Sequence, residues 1–387
     1  MRFSERVTGI QASATLAITS KAKAMIAEGR DVVILAAGEP DLDTPDIIKN
    51  AGITAIKKGQ TKYTPASGTV SLKKAICCKL SSDNGLEYSP KNIVVSNGAK
   101  HSIYNVLQVL CSDGDEVLII PPYWLSYPEM VKLAGGTPVV LPMRDGYKTN
   151  ARDIEKAITP RTKALILNSP SNPTGVIYGF EEFKAIAEAC VNAGITIISD
   201  EIYEKIIFDG EKHFSIAAVS KEAFDSTVVI NGVSKSYSMT GWRIGYAAGS
   251  EEIMTLVSTL QSHATSNPCS ISQAAAECAL TSDLEAEMKK NSKKFQDRRD
   301  FLLKAFAGET KIKPFKPSGA FYLYCDISAS GMDAMEFSKR LLQEKKVAVI
   351  PCGAFGDDNA IRISFATDMK TLEEGAERIK EWVNGVC

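Results

Sequence analysis

The sequence has few histidines, little net charge and no long apolar run. Its 387 residues include three histidines, and 45 basic and 46 acidic side chains leave a formal net charge of −1. Three scattered histidines do not suggest a metal site, and a near-neutral chain has no global field to attract nucleic acid or an anionic membrane. No stretch approaches the length that spans a bilayer, and the N-terminus lacks the apolar segment of a signal peptide. We therefore expect no metal, no nucleic-acid partner and no membrane span.

The cysteines show no pattern of disulfides or metal ligands. There are nine, an odd number, and no two are spaced as C-x-x-C. An irregular set of this kind is typical of reduced, mostly buried thiols. The one N-x-T sequence, at residues 172–174, has proline in its middle position and is no glycosylation acceptor. We predict a cytoplasmic protein.

Residues 90–250 alternate short β-branched runs with helical patterns. Apolar residues recur at helical spacing over 103–110 and 183–190, the second pattern ending before Gly194. The predicted strands are 92–96, 116–120, 137–141, 164–168, 195–199 and 227–231. Such a series predicts an α/β fold with a mostly parallel sheet between layers of helices.

The pattern changes after about residue 290. Long helical patterns surround shorter predicted strands there, with helices at 285–306, 334–344 and 372–383 and strands at 320–326, 347–350 and 361–365. The first forty residues are too short for a domain, so we expect them to join this second unit. The prediction is a large domain over 46–289 and a smaller α+β domain made of 1–45 and 290–387.

Reactive side chains follow three of the predicted strands. Residues 97–100 follow the first strand and begin a helix, whose free backbone N–H groups suit a phosphate. Asp200 and Tyr203 follow the strand at 195–199, and Lys235 and Arg243 follow the last strand. Ligands of parallel sheets bind beyond the carboxyl ends of the strands, so these groups predict one site. A lysine, a carboxylate, a phenol, an arginine and a helix N-terminus are what pyridoxal 5′-phosphate (PLP) requires.

Five segments resemble those of the fold-type I, class I aminotransferases, which use PLP. They are A-G-E-P-D-x-D-T-P from residue 37, P-Y-W-L-S-Y-P-E from 122, N-S-P-S-N-P-T-G from 168, S-D-E-I-Y from 199 and S-K-x5-G-W-R-I-G-Y from 234. Their order and spacing match the aspartate aminotransferases of subgroup Iβ over nearly the whole chain. The resemblance implies a PLP-dependent enzyme with a large and a small domain.

The resemblance also implies a role for each matching residue at the cofactor. Lys235 matches the lysine that forms the Schiff base with PLP and later shuttles a proton at the substrate Cα. Asp200 matches the carboxylate that keeps the pyridine nitrogen protonated. The other matches are Tyr203 and Asn172 at the ring hydroxyl, Trp124 stacked on the ring, and Gly98, Ala99, Ser234 and Arg243 around the phosphate.

Further matches concern the substrate and the quaternary structure. Arg362 matches the arginine that binds the substrate α-carboxylate bidentately, close to Gly38 and on the same side as Trp124 and Asn172. With that carboxylate held, the Cα–H bond can stand perpendicular to the ring, which favours transamination over decarboxylation. Tyr63 matches a tyrosine that reaches the phosphate of the neighbouring subunit, which implies a homodimer with shared active sites.

The distal carboxylate of an acidic substrate needs a cation. Residues 260–267, where another subgroup places a second arginine, contain none. Lys100 matches the lysine that subgroup Iβ uses instead, and Thr15 with Lys100 resembles the pair found in members that accept prephenate. We predict amino transfer between aspartate or glutamate and oxaloacetate or 2-oxoglutarate, with prephenate as an alternative acceptor.

Other functions stay open on the same fold. An aminotransferase for neutral or aromatic amino acids would use the same cofactor groups, and so would a β-lyase, which releases ammonia and pyruvate. A PLP-binding regulator ordinarily carries a DNA-binding domain, and the sequence shows no basic arm.

Overall fold

The computed structural model describes residues 3–10, 14–309 and 311–386, and for residues 5, 14–17 and 386 it describes the backbone alone. The helices are α1 (Glu5–Thr8), α2 (Ala14–Ala27), α3 (Asp46–Lys57), α4 (Val70–Asn84), α5 (Ala99–Leu110), α6 (Ser126–Leu133), α7 (Ala151–Ala157), α8 (Phe180–Asn192), α9 (Lys221–Ser226), α10 (Glu251–Ala264), α11 (Ser270–Thr281), α12 (Glu285–Ala305), α13 (Ala334–Lys345) and α14 (Met369–Val386). The strands are β1 (Val33–Ile34), β2 (Ile93–Ser96), β3 (Glu116–Ile119), β4 (Thr137–Val140), β5 (Thr162–Asn168), β6 (Thr196–Asp200), β7 (Thr227–Gly232), β8 (Gly245–Ala248), β9 (Lys313–Phe315), β10 (Tyr322–Asp326), β11 (Val347–Ala348), β12 (Ile350–Pro351) and β13 (Ala360–Ser364).

A seven-stranded sheet organises residues 93–248, in the order β2-β8-β7-β6-β5-β3-β4. Neighbouring strands are parallel except where β8 pairs with β2 and β7. Strands β2, β3, β7 and β8 are buried at every residue, as expected of a sheet covered by helices on both faces. The predicted α/β fold with a mostly parallel sheet is confirmed.

The six strands predicted for this sheet are all present, and none of their ends differs from the prediction by more than two residues. The prediction missed β8, whose sequence Gly-Tyr-Ala-Ala has no β-branched residue and little intrinsic preference for a strand. Pairing with β2 and β7 on either side supplies the backbone hydrogen bonds that its local sequence does not favour.

Helices α5 and α8 bury the faces that their sequences predict. Ile103, Val106 and Leu107 of α5 are buried against the sheet, and so are Phe183 and Cys190 of α8. Gly194 ends the second pattern with a positive φ of 66°, a backbone conformation that favours glycine. No described helix is both long and apolar enough to cross a membrane.

A second sheet, in the order β12-β13-β10-β9, has antiparallel neighbours throughout. The strand predicted at 347–350 is two short strands, and β11 pairs in parallel with β1. Val33 and Leu35 therefore share one hydrophobic core with α12, α13 and α14. These contacts link residues of the N-terminal segment to the C-terminal part of the chain, and the assignment of residues 1–45 to the small domain stays a prediction. The domain bounds at 45/46 and 289/290 stay a prediction, and the second lies within α12.

Candidate active site

A cavity of about 530 Å³ opens where β5, β6 and β7 end. It also receives side chains from the second sheet and from the N-terminal segment. Eleven of the residues that the sequence singles out line it, namely Gly38, Ala99, Lys100, Trp124, Asn172, Asp200, Tyr203, Ser234, Lys235, Arg243 and Arg362. The carboxyl ends of parallel strands thus bring together groups that are far apart in the chain.

Sheet register places two of the polar groups side by side. Asn168 and Asp200 are paired residues at the ends of β5 and β6. The Asn168 amide Nδ2 donates to the backbone oxygen of Asp200 at 2.8 Å, and its Oδ1 accepts from the backbone N–H of Asn172 at 2.8 Å. Asn168 therefore ties the loop that carries Asn172 to the strand that carries Asp200. The sequence analysis did not assign it a role.

Asp200 is a buried carboxylate whose hydrogen-bond donors are neutral. Its side chain accepts from the Tyr127 hydroxyl at 2.7 Å and from the backbone N–H of Ile202 at 3.3 Å. Burial raises the pKa of Asp200 to about 6, although both hydrogen bonds and the Lys235 charge lower it. A cation placed against this carboxylate would stabilise its ionised form.

Lys235 follows β7 and points its amine into the cavity. Its Nζ donates to the backbone oxygen of Gly38 at 2.5 Å and lies 5.9 Å from the centre of the Tyr203 ring. Burial lowers the pKa of Lys235 to about 8; the carboxylate of Glu39 opposes that shift, and the charges of Arg362 and Arg243 add to it. Much of this amine is therefore neutral at a pH where an ordinary lysine is fully charged.

Arg362 is a buried cation with one unpartnered donor. It is 3% exposed, and its Nη1 donates to Asn172 Oδ1 at 2.9 Å while Nη2 donates to the Ala36 oxygen at 3.3 Å. The guanidinium lies 4.1 Å from the centre of the Tyr322 ring. Its Nε is buried without a hydrogen-bond partner. A buried guanidinium with a free donor suits a carboxylate ligand.

The start of α5 and Arg243 form a second cationic part of the cavity. Gly98 is the N-cap residue of α5 with φ +93°, and a Cβ there would lie 2.3 Å from Nη2 of Arg243. The positive φ favours glycine at this position, and the absence of a Cβ leaves room for the guanidinium beside the helix start. Arg243 donates to the backbone oxygens of Thr240 and Asn97 at 3.0 and 3.1 Å, and the buried Ser234 lines the same cavity. First-turn N–H groups and a guanidinium together suit a phosphate.

Trp124 and Lys100 contact one another at the cavity wall. The Lys100 ammonium lies 4.7 Å from the centre of the Trp124 ring, a distance at which a cation is attracted to an aromatic face. Burial and the neighbouring Arg243 charge lower the pKa of Lys100. The ring of Tyr127 packs edge-on against that of Trp124, with 5.4 Å between the ring centres.

Two tyrosines beside the predicted residues escaped sequence analysis. The hydroxyls of Tyr322 and Tyr203 are hydrogen-bonded at 2.9 Å, and both side chains are buried. Tyr127 lies within the motif P-Y-W-L-S-Y-P-E, so the motif marked its neighbourhood without marking the residue. No motif marks Tyr322. The pattern of its strand predicts that the side chain is buried, but not which residue it contacts.

Two predicted residues stand apart from the others. Tyr63 is 90% exposed and lies beside a separate recess with Lys62 and Ser270. Thr15 belongs to α2, but its side chain lies outside the described residues. Their predicted roles are not part of the cavity as this single chain forms it.

A buried ionic cluster follows Asp200 in the chain. Glu201 contacts His213 Nε2 at 3.1 Å and accepts from the hydroxyl of Ser215, and Glu204 pairs with the ammonium of Lys79. Although burial raises the pKa of Glu204, the Lys79 charge lowers it to about 2. The two glutamates and His213 are near enough to bind one ion together, but the Lys79 ammonium already compensates Glu204. We interpret the cluster as an ion-pair network that anchors this loop.

The chain resembles known proteins over nearly its full length. Residues 30–379 match the model of the family "Aminotransferase class I and II". The aspartate aminotransferase of Bacillus sp. (strain YM-2) is 48% identical over 388 residues, which cover 98% of this chain and 99% of that protein. The aspartate/prephenate aminotransferase of Cereibacter sphaeroides is 44% identical over 99% of each chain. The structure of Thermus thermophilus aspartate aminotransferase with maleate has a TM-score of 0.95 at 39% identity, over 98% of this chain and 100% of that chain.

The mostly parallel sheet has a lysine, a carboxylate and two arginines in one cavity at its edge. Such a set of groups is typical of an enzyme active site. The chain belongs to the class I and II aminotransferases, and it is an aminotransferase of fold type I.

Proposed function

We propose that the chain is a PLP-dependent aminotransferase that moves an amino group between aspartate or glutamate and 2-oxo acids. The observation that carries this proposal is the cavity of Lys235, whose amine has a pKa of about 8, and which also contains the buried groups Asp200 and Arg362. An amine, an anion and a carboxylate-binding cation in one cavity are the groups that amino transfer requires.

The residues present fit PLP. Asp200, whose side-chain donors are neutral, offers the anion that a protonated pyridine nitrogen needs. Arg243, Ser234 and the start of α5 would hold the phosphate, Tyr203 and Asn172 the ring hydroxyl, and Trp124 a face of the ring. When bound, the cofactor supplies an electron sink for the charge that develops at the substrate Cα.

The chain's own groups orient the substrate and move its proton. Arg362 binds the α-carboxylate, and its unpartnered Nε leaves a donor free for this ligand. Gly38 is expected to contact the same carboxylate through its backbone, and its oxygen already accepts from the Lys235 amine at 2.5 Å. With PLP bound, the Lys235 amine would be the base that carries the proton away from the substrate Cα. Its lowered pKa suits that task at neutral pH.

Lys100 supports an acidic substrate. It lines the cavity next to Trp124, so its ammonium is available to the distal carboxylate of aspartate or glutamate. The relatives named aspartate aminotransferase favour the same substrates. Prephenate as a second acceptor is supported by Lys100 and by the relatives named aspartate/prephenate aminotransferase, with Thr15 as the expected partner of Lys100.

The proposal includes a cytoplasmic homodimer with shared sites. Tyr63 is 90% exposed in the single chain, and the apolar residues Ile53 and Ile56 of α3 and Val70 of α4 are about half exposed, at 47%, 55% and 57%. A second subunit would cover such side chains and bring its Tyr63 to the phosphate of this one. The described cysteines are free thiols, which suits a reducing compartment.

Two measurements test the proposed function. The purified protein should absorb visible light, and borohydride should attach PLP irreversibly to one peptide, the one that contains Lys235. Amino donors are then assayed against 2-oxoglutarate, oxaloacetate and prephenate, with acidic donors expected to give the highest kcat/KM. Attachment at another lysine would refute the site, and release of ammonia and pyruvate would identify a β-lyase instead.

A further inference from the structure

Helix α2 presents two neighbouring faces to different surroundings. Ile18, Ala22 and Met25 are buried in the core with Tyr324 and other residues of the second sheet. Thr19 and Lys23 each follow one of these buried positions, so they lie about 100° further around the helix and four residues apart on one face. That face borders the active-site cavity, and both residues line it. The packing of the first face therefore turns the face that carries Lys23 toward the cavity.

Lys23 is a cation without a role in the fold. Within the described part of the chain it has no hydrogen-bond or ion-pair partner. The other four cations of the cavity each have a hydrogen-bond or ring contact: Lys235 with the Gly38 oxygen, Arg362 with Asn172, Arg243 with the Thr240 oxygen, and Lys100 with the Trp124 ring. Lys23 is the cavity cation for which the described residues provide no such contact.

Two of the cations that line the cavity differ in exposure. Arg362 is 3% exposed, whereas Lys23 is an exposed residue of the N-terminal segment. A substrate whose α-carboxylate is bound at the buried Arg362 would extend its side chain away from that residue, and a longer side chain would come nearer to an exposed cation such as Lys23.

We propose that Lys23 is a specificity-determining residue that binds the distal carboxylate of five-carbon dicarboxylates. Lys100 remains the cation for the distal carboxylate of both aspartate and glutamate, and Lys23 adds a second cation that the longer glutamate and 2-oxoglutarate reach. This inference rests on the proposed function, because it assumes that Arg362 holds the α-carboxylate. It predicts that the charge of Lys23 matters more for five-carbon than for four-carbon dicarboxylates.

Unreactive carboxylates separate this binding from the chemical step. The dissociation constants of succinate, glutarate and butyrate are measured on the PLP-loaded enzyme by calorimetry, for the wild type and for Lys23→Met. Methionine keeps an aliphatic stem of similar length and removes the charge. We expect the Kd of glutarate to rise about two- to fivefold, the range for an exposed ion pair. The Kd of succinate should rise by a smaller factor, and the ratio of glutarate to butyrate affinity should fall.

Two further variants of helix α2 provide controls, one at position 23 itself and one on the opposite side of the helix. Lys23→Arg keeps the charge and should retain the glutarate affinity. Lys21→Met removes a charge from an exposed position that does not line the cavity, and it should leave the three constants as they are. Raising the salt concentration should weaken glutarate binding more in the wild type than in Lys23→Met, because salt screens an exposed ion pair.

Several results would overturn the inference. An unchanged Kd of glutarate in Lys23→Met would do so. An equal rise in the Kd of glutarate and of butyrate would also do so, because butyrate has no distal carboxylate and such a rise would reflect a shift of the helix and not the lost charge. If the wild type bound both dicarboxylates no better than butyrate, the proposed function itself would fail. If it preferred dicarboxylates and Lys23→Met kept that preference for glutarate, this inference alone would fail.

Discussion

The hydroxyl of Tyr127 donates a hydrogen bond of 2.7 Å to the carboxylate of Asp200, and both groups are buried. The bond stabilises the ionised carboxylate and so opposes the effect of burial on its pKa. With the proposed cofactor bound, Tyr127 would act on it through Asp200 and so be a positioning residue.

Tyr127→Phe keeps the ring and removes this donor. The pKa of Asp200 should then rise above its value of about 6, and less of the carboxylate is ionised at a given pH. We expect kcat at neutral pH to fall about tenfold, the scale of a hydrogen bond to a charged group. The acidic limb of the pH profile of kcat should move to higher pH.

Tyr178→Phe is the matched control for that change. Tyr178 is also buried, and its hydroxyl accepts from the backbone N–H of Thr149 at 2.9 Å outside the catalytic cavity. It should alter stability without moving the pH profile. A Tyr127→Phe enzyme with an unmoved acidic limb would show that the hydroxyl has no influence on Asp200.

The lowered pKa of Lys235 predicts how the cofactor-free protein takes up PLP. Only the neutral amine attacks the aldehyde, and its fraction grows with pH until the pKa is passed. Because burial lowers that pKa to about 8, the attachment rate should rise up to about pH 8 and then level off. The rate is followed by visible absorbance, with Lys235→Ala as the control. A rate that rose steadily toward the ordinary lysine pKa of 10.5 would contradict the lowered value.

Lys100→Met tests the acidic substrate. An uncompensated carboxylate in a partly dry site is strongly unfavourable, so removing its cation should cost on the order of 2–5 kcal/mol in kcat/KM for aspartate. The ratio of aspartate to alanine kcat/KM should fall accordingly. Lys91→Met, which removes a surface lysine paired with Glu251, serves as the control. An equal loss for aspartate and alanine would assign Lys100 to the phosphate or to the fold.

Mixed dimers test the shared site. A Tyr63→Ala subunit lacks the group for its neighbour, and a Lys235→Ala subunit lacks its own amine. In a hybrid dimer, the site that contains Lys235 receives Tyr63 from the other subunit and is complete. Mixing the two variants under exchange conditions should therefore restore activity above that of either alone. A fully active monomer in sedimentation analysis would contradict the shared site.

Local sequence signals predicted most of the framework. The strand runs predict the central sheet to within two residues at each end, because a buried strand needs its apolar, β-branched side chains in one continuous segment. The motif residues lie at the ends of these strands, so they predict where the cavity forms. Parallel connectivity places Asp200 and Lys235 at one edge of the sheet whatever the details of packing.

The relationships between these residues required the tertiary structure. Tyr127 reaches Asp200 across 73 positions of the chain, and Tyr322 reaches Tyr203 across 119. Such contacts depend on strand order and on how the second sheet packs, which no local pattern encodes.

The sequence by itself determined the family, the strands of the central sheet and most of the groups at its edge, since each is written in a contiguous segment. The tertiary structure decided which charges have partners. It buries Arg362 with a free Nε, lowers the pKa of Lys235 and turns Lys23 toward the cavity. Burial, pKa and direction depend on neighbours from distant segments, and these exist only once the chain has folded.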